Sequence, residues 1–341
     1  MAVRCVESDL DTLLGLNVQT RSASNPSLKT VRLLQHFQSF AAMTLGDSTV
    51  QQVMGNYVAH SAWEHPYVMH MLLAVSSAHM KRLALASSTP KSQQVLAMAE
   101  ARHWQHGLSL YRAALATPST REQQDVDALI STTFLSVIFT FALEDRVDLH
   151  SFETDFDKSV NHALTPMAAG SGIIALGQVT GIQTSIAWMP VLRNSNDRNG
   201  TYTSQSSCIE GVSPTLLQFC GVNDHSTSAN NEYHRILQML GPLLQLEQGI
   251  RHFTKLVAFG GRSVHLFRPL LQRRDPKALL LLSYWFALLR QLDQWWLNIR
   301  VRSTCHAIVT YLRTITDPTM HALLLFPASH GDGTLDHYND L

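Results

Sequence analysis

Charge is what this sequence has least of. Only 15% of its 341 residues are Asp, Glu, Lys or Arg, against about 25% in an ordinary soluble domain. Lys and Arg number 26 and Asp and Glu number 26, so the formal net charge is zero. That balance offers no general attraction to a polyanion, and direct DNA binding is not expected. Cysteine is scarce as well. Cys5, Cys208, Cys220 and Cys305 are scattered, with no two at C-x-x-C spacing. A zinc site or a disulfide framework needs clustered residues, so free thiols in a reducing compartment are expected. The 17 Gly and 12 Pro are too few for a fibrous or low-complexity chain. Glu7, Asp9 and Asp11 interrupt Met1–Leu14, which excludes a secretory signal there. The apolar runs Ala278–Leu289 and Ala128–Leu143 fall short of the ~18–20 residues of a membrane span, so no membrane association is expected.

Catalytic signatures are missing too. There is no G-x-x-x-x-G-K-[ST], no H-E-x-x-H and no D-D-x-x-D, and Gly170, Gly172 and Gly177 are misspaced for G-x-G-x-x-G. Gly211-Val-Ser213-Pro-Thr215 is the nearest approach to G-x-S-x-G and lacks its last glycine. Glu100-Ala-Arg-His103 fits E-x-x-H, but a di-iron bundle needs two such pairs and two further Glu, so a solvated helix face is expected.

What is present is a 45% apolar chain with helical periodicity. Ala101, Trp104, Leu108, Tyr111 and Leu115 share one face of a helix predicted over about Ser92–Leu115, with Glu100, Arg102, His103 and Arg112 elsewhere around it. Leu34, Phe37, Ala41 and Leu45 form a shorter stripe, and Trp285, Leu289, Leu292, Trp296 and Ile299 the strongest one. Asp275-Pro276 and Asp317-Pro318 read as N-caps followed by proline at the first helical position, and His65-Pro66 opens a helix in the same way. No alternating strand pattern and no internal repeat is visible. An all-α fold follows: one large helical domain with a disordered internal loop.

Composition divides the chain further. Residues 1–30 are a lead-in, 31–192 a first helical block, 193–231 a flexible polar connection, 232–327 a second helical block and 328–341 a polar tail. Within the connection, twelve of the fourteen residues of Asn194–Ser207 are Ser, Thr, Asn, Asp, Gly or Gln, too little apolar surface to order itself. Ser159–Leu192 holds no charged residue and is rich in Gly, Thr and Ala, which fits either a Gly-kinked helix pair or a pocket wall.

Two sets of side chains invite chemistry. The 17 histidines include His60, His65, His70 and His79, then His103 and His106, three apart on one helix. No carboxylate or cysteine stands at ligand spacing to that pair, so no metal is expected. The second set is aromatic: Tyr284-Trp285-Phe286 and Trp295-Trp296. Core packing explains them simply. The sharper alternative is an aromatic wall around a flat or polycyclic apolar ligand, because pockets are largely apolar with few polar groups.

With those residues in view, the chain resembles the regulatory domain of fungal zinc-cluster transcription factors, within them the sterol uptake control branch. Two blocks carry the likeness. The first comprises LLQHFQSFAAMTLG (Leu33–Gly46), HPYVMHMLLAVSSAHMKRL (His65–Leu83) and AEARHWQHGLSLYRAAL (Ala99–Leu115). The second is FRPLLQRRDPKALLLLSYWFALLRQLDQWWL (Phe267–Leu297). The resemblance implies a helical domain with an apolar ligand pocket in the second block, beside Phe259-Gly260-Gly261-Arg262, where a bulky W-P pair is commoner in the family. Two glycines there are expected to loosen or reshape the wall. The ligand-binding candidates are accordingly Tyr284, Trp285, Trp295, Trp296, Phe259, Gly260 and Gly261.

The family's six-cysteine module that holds two zinc ions is not matched in this sequence. The expectation is therefore a regulator without its own DNA-binding module, in nucleus or cytoplasm, with no cofactor. It would sense a sterol, terpenoid or polyketide-like ligand and act with a full-length zinc-cluster factor or as a homodimer, in fungal secondary or sterol metabolism. The alternative is a cofactor-free cyclase or isomerase of natural-product biosynthesis, which orientation and a few dipoles would suffice to drive.

Overall fold

The computed structural model describes residues 26–84, 89–116, 123–143, 156–180, 185–195 and 209–329. Among them every regular element is helical and there is no strand, so the all-α expectation is borne out. Helix starts follow local chemistry. The Asp275 carboxylate accepts the Ala278 N–H at 2.8 Å, and Asp317 accepts those of Thr319 and Met320 at 2.8 and 3.1 Å. Each cap is followed by proline, whose missing N–H costs nothing in the first turn. Two further caps were not anticipated. Asp47 accepts from Thr49 and Val50, and the Ser213 hydroxyl accepts from Leu216. The serine of the incomplete G-x-S-x-G is thus a helix cap.

The single large domain expected from the sequence divides into two compact units. One holds the described residues up to Phe139 together with 185–188; the other holds the described residues of 140–180 and 189–329. The division falls inside a helix rather than in the polar 193–231 stretch.

In the first unit, α1 (Pro26–His36) runs on through a π-helical turn, Phe37–Ala41, and a 3-10 turn, Ala42–Thr44. Leu34, Phe37, Ala41 and Leu45 are all buried, as their spacing predicts. The short α2 (Ser48–Gln52) runs on through a π-helical turn, Val53–Val58, and a single α-helical turn, Ala59–Ser61; then comes α3 (Pro66–Ala84), buried at every position from Met71 to Met80. It packs on α1, where the Ser76 hydroxyl donates to the Leu33 carbonyl at 2.6 Å, and on α4 (Pro90–Ala116). The predicted α4 stripe is displaced. Ala101 and Leu115 are exposed, Trp104, Leu108 and Tyr111 half-buried, and the residues turned inward are Ser92, Leu96, Glu100 and Gly107. The reason is close approach: a Cβ on Gly107 would stand 3.2 Å from Met71. On the same inward face Glu100 reaches the Lys81 ammonium at 2.8 Å, so it is not on a solvated face.

Helix α5 (Gln123–Ala142) is the one helix among the described residues long and apolar enough to cross a membrane, but 89% of that window is buried inside the protein, as in a core helix. Its hydroxyls make burial affordable. Ser131, Thr132, Thr133 and Ser136 each donate to the carbonyl four residues back, at 2.7–2.9 Å. The buried Asp127 carboxylate accepts the Ser185 hydroxyl and the N–H groups of Ile186 and Ala187. Trp188, fully buried, donates to Ser131 at 2.8 Å and stacks on Phe134 at 4.2 Å. Asp127 thereby pins a segment some sixty residues further along the chain.

The second unit contains α6 (Phe156–Thr180), α7 (Met189–Ser195), α8 (Pro214–Phe219), α9 (His234–Leu244), α10 (Phe253–Gln272), α11 (Pro276–Arg290), α12 (Trp295–Arg313), α13 (Pro318–Leu323) and α14 (Leu325–Ser329). Here α10 packs along α6, and α11 along α12. The stripe from Trp285 to Ile299 is not one helix. Asp293 takes a left-handed φ of 46°, which ends α11 and lets α12 start at Trp295. Of the 193–231 connection, residues 196–208 lie outside the described residues, as do 1–25 of the lead-in and 330–341 of the tail. Residues 209–231 are held by α8 and by side-chain turns. Asn231, for example, donates to the Cys220 and Gly221 carbonyls and accepts from Tyr233 and His234.

At the end of α8, Val222 N–H bonds the Leu217 carbonyl and Gly221 N–H that of Gln218, with Gly221 at φ +70°. This is a Schellman closure, which needs a left-handed residue. A Cβ at Gly221 meets nothing nearer than 3.9 Å. Gly221→Ala therefore isolates the backbone cost and should destabilise by about 1–2 kcal/mol. Chemical denaturation measures it; an unchanged midpoint would refute the closure.

Candidate functional site

Of the predicted aromatic residues, Phe259, Trp285 and Trp296 are brought together beside α11. Every residue from Ala278 to Leu289 is buried, so this helix has protein on all its faces. That explains why its aromatics wrap the helix instead of forming one stripe. Trp285, 1% exposed, donates its indole N–H to the Leu256 carbonyl on α10 at 2.8 Å. Its ring centroid lies 5.7 Å from Phe259 and 6.4 Å from Phe141. Trp296 is equally buried and meets Phe141 and Phe253 edge to face at 5.6 and 5.8 Å. Phe259 in turn meets Phe267 at 6.2 Å. Edge-to-face and tilted pairs at these separations are the favoured aromatic geometries.

Tyr284 points elsewhere. Its hydroxyl donates to the Leu323 carbonyl at 2.9 Å and its ring stacks on Phe326 at 4.7 Å. Burial pushes its phenol up to about 12, with the nearby Cys220 adding to the effect. Trp295 is half-buried at the start of α12. The structure thus joins Phe259, Gly260 and Trp285 directly, sets Trp296 beside them through Phe141, and leaves Tyr284 in a second group with α13 and α14.

The two glycines do not loosen this wall. A Cβ at Gly260 would stand 2.6 and 2.7 Å from Cη2 and Cζ2 of Trp285. A Cβ at Gly261 would stand 2.6 Å from the Gly170 carbonyl carbon on α6. Gly260 makes room for an indole, and Gly261 lets two helix backbones touch. Gly170, within the uncharged Ser159–Leu192 segment, is where α6 presents backbone rather than a side chain to that contact.

The cluster is nearly all carbon. Its polar neighbours are committed: the buried Cys305 thiol donates to the Ser283 carbonyl at 3.7 Å and is pushed by burial up to about 12, far from a reactive thiolate. The buried Arg300 guanidinium donates to the His162 carbonyl at 2.7 Å. No acid–base pair stands against these rings in the contacts of the described residues, and the arrangement is suited to packing or to holding an apolar molecule.

The histidines show pairings that their spacing did not. His36 and His79 share a hydrogen bond at 3.1 Å between α1 and α3. His70 on α3 meets His103 on α4, Nδ1 to Nδ1 at 2.9 Å, and its ring lies 4.6 Å from that of His106. The partners lie 43 and 33 residues apart, beyond any local pattern.

Residues 32–152 match the family model described as the fungal specific transcription factor domain. The match runs from within α1 through α5 and takes in the first of the two sequence blocks. No curated protein matches the chain.

Proposed function

We propose that this chain is a transcriptional regulator that reads a small apolar ligand of sterol, terpenoid or polyketide type and works in the nucleus. The observation that carries the regulatory part is the match of residues 32–152 to a fungal specific transcription factor domain. The ligand part is supported by chemistry: Phe259, Trp285 and Trp296 gather with Phe141 in an aromatic group with few polar atoms, the usual make-up of a site for an apolar molecule, and Trp295 stands half-buried next to Trp296 in the chain. Tyr284 adds a ring at the far side of α11. Because α11 is enclosed, a ligand enters only by opening this packing, and it shifts the protein by its differential affinity for the opened form. Contact with DNA then comes through a partner, a complete zinc-cluster factor or a second copy; zero net charge supports this division of labour.

The chain fused to an unrelated DNA-binding module should change reporter transcription, and a sterol and terpenoid panel should modulate that change. Reporter output indistinguishable from the module alone would remove the regulatory reading. In parallel, tryptophan emission should respond to at least one panel member, with Trp295→Ala weakening binding about tenfold (~1.4 kcal/mol). Emission unmoved by the whole panel would remove the ligand reading and leave the regulatory one standing. The unfused protein should not shift duplex DNA selectively in a gel.

A further inference from the structure

The zero net charge conceals an uneven distribution. Residues 235–313 hold twelve Lys and Arg against three Asp and Glu, a net of +9, so the rest of the chain carries −9. The excess centres on α10: residues 248–274 contain six Lys and Arg and no Asp or Glu. One face of this helix is buried, through Leu256, Phe259, Val264, Phe267 and Leu271. On the opposite face Lys255, Arg262 and Pro269 recur every seventh residue, with Ala258, His265 and Leu266 among them and Arg268 at the edge. His265, Arg268 and Pro269 are exposed and the others half-buried. The packed neighbours are α6, α7, α9 and α11. Three of them, α7, α9 and α11, contain no acidic residue, and α6 holds one, Asp157, followed by Lys158. Carboxylates stand at the two ends of the strip, where Glu247 pairs with Arg251 and Glu232 with Arg273. The positive field is felt locally: burial lowers His252 below its ordinary value, and the charges of Arg251 and Lys255 lower it further.

We propose that the outer face of α10 is a docking surface for an acidic protein segment that interleaves carboxylates with apolar side chains. The inference is independent of the proposed function. Charge complementarity sets the sign of the partner, and the Arg262 and Arg268 guanidiniums offer forked donors that match a carboxylate. The apolar surface of Ala258, Leu266 and Pro269 between the cations favours a peptide over a nucleic acid, whose phosphates have nothing to place there. Geometry agrees: a helix that reads duplex DNA must stand clear to enter the major groove, whereas α10 is flanked by four helices and turns only a strip outward. From Lys255 to Arg268 the strip is about 20 Å long. An extended segment of about six residues covers that length.

Fluorescence anisotropy of the whole chain with a labelled peptide of Glu-Leu-Asp-Phe repeats tests this. The wild type should bind the peptide, and the affinity should fall severalfold between about 0.05 and 0.5 M salt. The neutral Gln-Leu-Asn-Phe analogue should bind at least tenfold more weakly. Lys255→Gln/Arg262→Gln/Arg268→Gln should weaken the acidic peptide about tenfold. Lys91→Gln/Arg102→Gln/Arg112→Gln, which removes the same charge from exposed positions of α4, should bind as the wild type does. If the first triple variant fails to fold, the salt dependence and the neutral analogue decide on the wild type alone. Equal binding of the two peptides, or equal weakening by the two triple variants, overturns the proposal. A random-sequence DNA duplex that binds more tightly than the acidic peptide at the same salt overturns it as well.

Discussion

Alanine at Gly261 is expected to destabilise the protein by about 3 kcal/mol or more, and alanine at Gly260 by about 1–3 kcal/mol. In an ordinary helix interior the same change gains up to about 1 kcal/mol, so the sign itself is diagnostic. At Gly261 the added carbon would meet the Gly170 backbone at 2.6 Å, and backbone does not step aside. Two helices would have to separate and expose apolar surface along their length. At Gly260 the carbon would meet the far edge of the Trp285 indole. That ring is buried and anchored through its N–H to Leu256, so it has no other rotamer to adopt without losing the bond. The two sites then diverge in a double-mutant cycle. Phenylalanine at position 285 lacks the Cη2–Cζ2 edge, and Gly260→Ala should become neutral or mildly stabilising in a Trp285→Phe background. A coupling of more than about 1 kcal/mol is expected for residues in direct contact. Gly261→Ala should stay as costly in that background as in the wild type. Chemical denaturation of the four proteins decides it. A stabilising Gly260→Ala in the wild-type background would show that the indole does not fill the space above the glycine.

Acid should weaken the protein well above the usual carboxylate range. His36 and His79 are 7% and 5% exposed, and burial lowers each to about 4, the proximity of His79 adding to the effect on His36. In the unfolded chain each takes up a proton near pH 6.5. Between pH 6.5 and about 4 the unfolded state is therefore protonated at both positions while the folded state is not. Unfolding is favoured as pH falls through that window, by up to about 1.4 kcal/mol per pH unit for each histidine. The pair shares a hydrogen bond and titrates as a unit, so a combined loss of about 3–6 kcal/mol is expected, a large share of a typical fold's stability. Above pH 6.5 this contribution is fully present and stability should be flat with respect to it. Replacing the pair by His36→Phe and His79→Leu should flatten the slope between pH 6.5 and 4.5, whatever it does to stability at pH 7. A slope that survives the double replacement would place the acid sensitivity elsewhere.

Much of the helical framework was legible in the sequence, because the forces that start and stop helices act within a turn. Asp275 and Asp317 cap the helices they precede, and Pro276 and Pro318 follow as local rules require. Leu34, Phe37, Ala41 and Leu45 are buried because spacing along one helix needs no knowledge of the partner. The same rule misread α4. Its inward residues include a glutamate and a glycine, chosen by what faces them: Lys81 for Glu100 and Met71 for Gly107. The break at Asp293 was hidden because apolar spacing continued across it, while a left-handed φ in a non-glycine residue leaves no compositional mark.

The aromatic group was legible as a list and not as an arrangement. Periodicity placed Trp285 and Trp296 on one stripe, but only the packing shows Trp285 seated on Gly260, Trp296 against Phe141 and Phe253, and Tyr284 turned to Phe326. The histidine pairs make the same point at longer range, since His70 and His103 lie 33 residues apart and His36 and His79 lie 43 apart. The sequence by itself determined the fold class, the caps and one buried stripe, all consequences of interactions that reach three or four residues along the chain. The tertiary structure decided which glycines touch backbone, which carboxylates are buried and which imidazoles share a proton, because those depend on how closely two helices approach, and that distance is set jointly by side chains remote from one another in the chain.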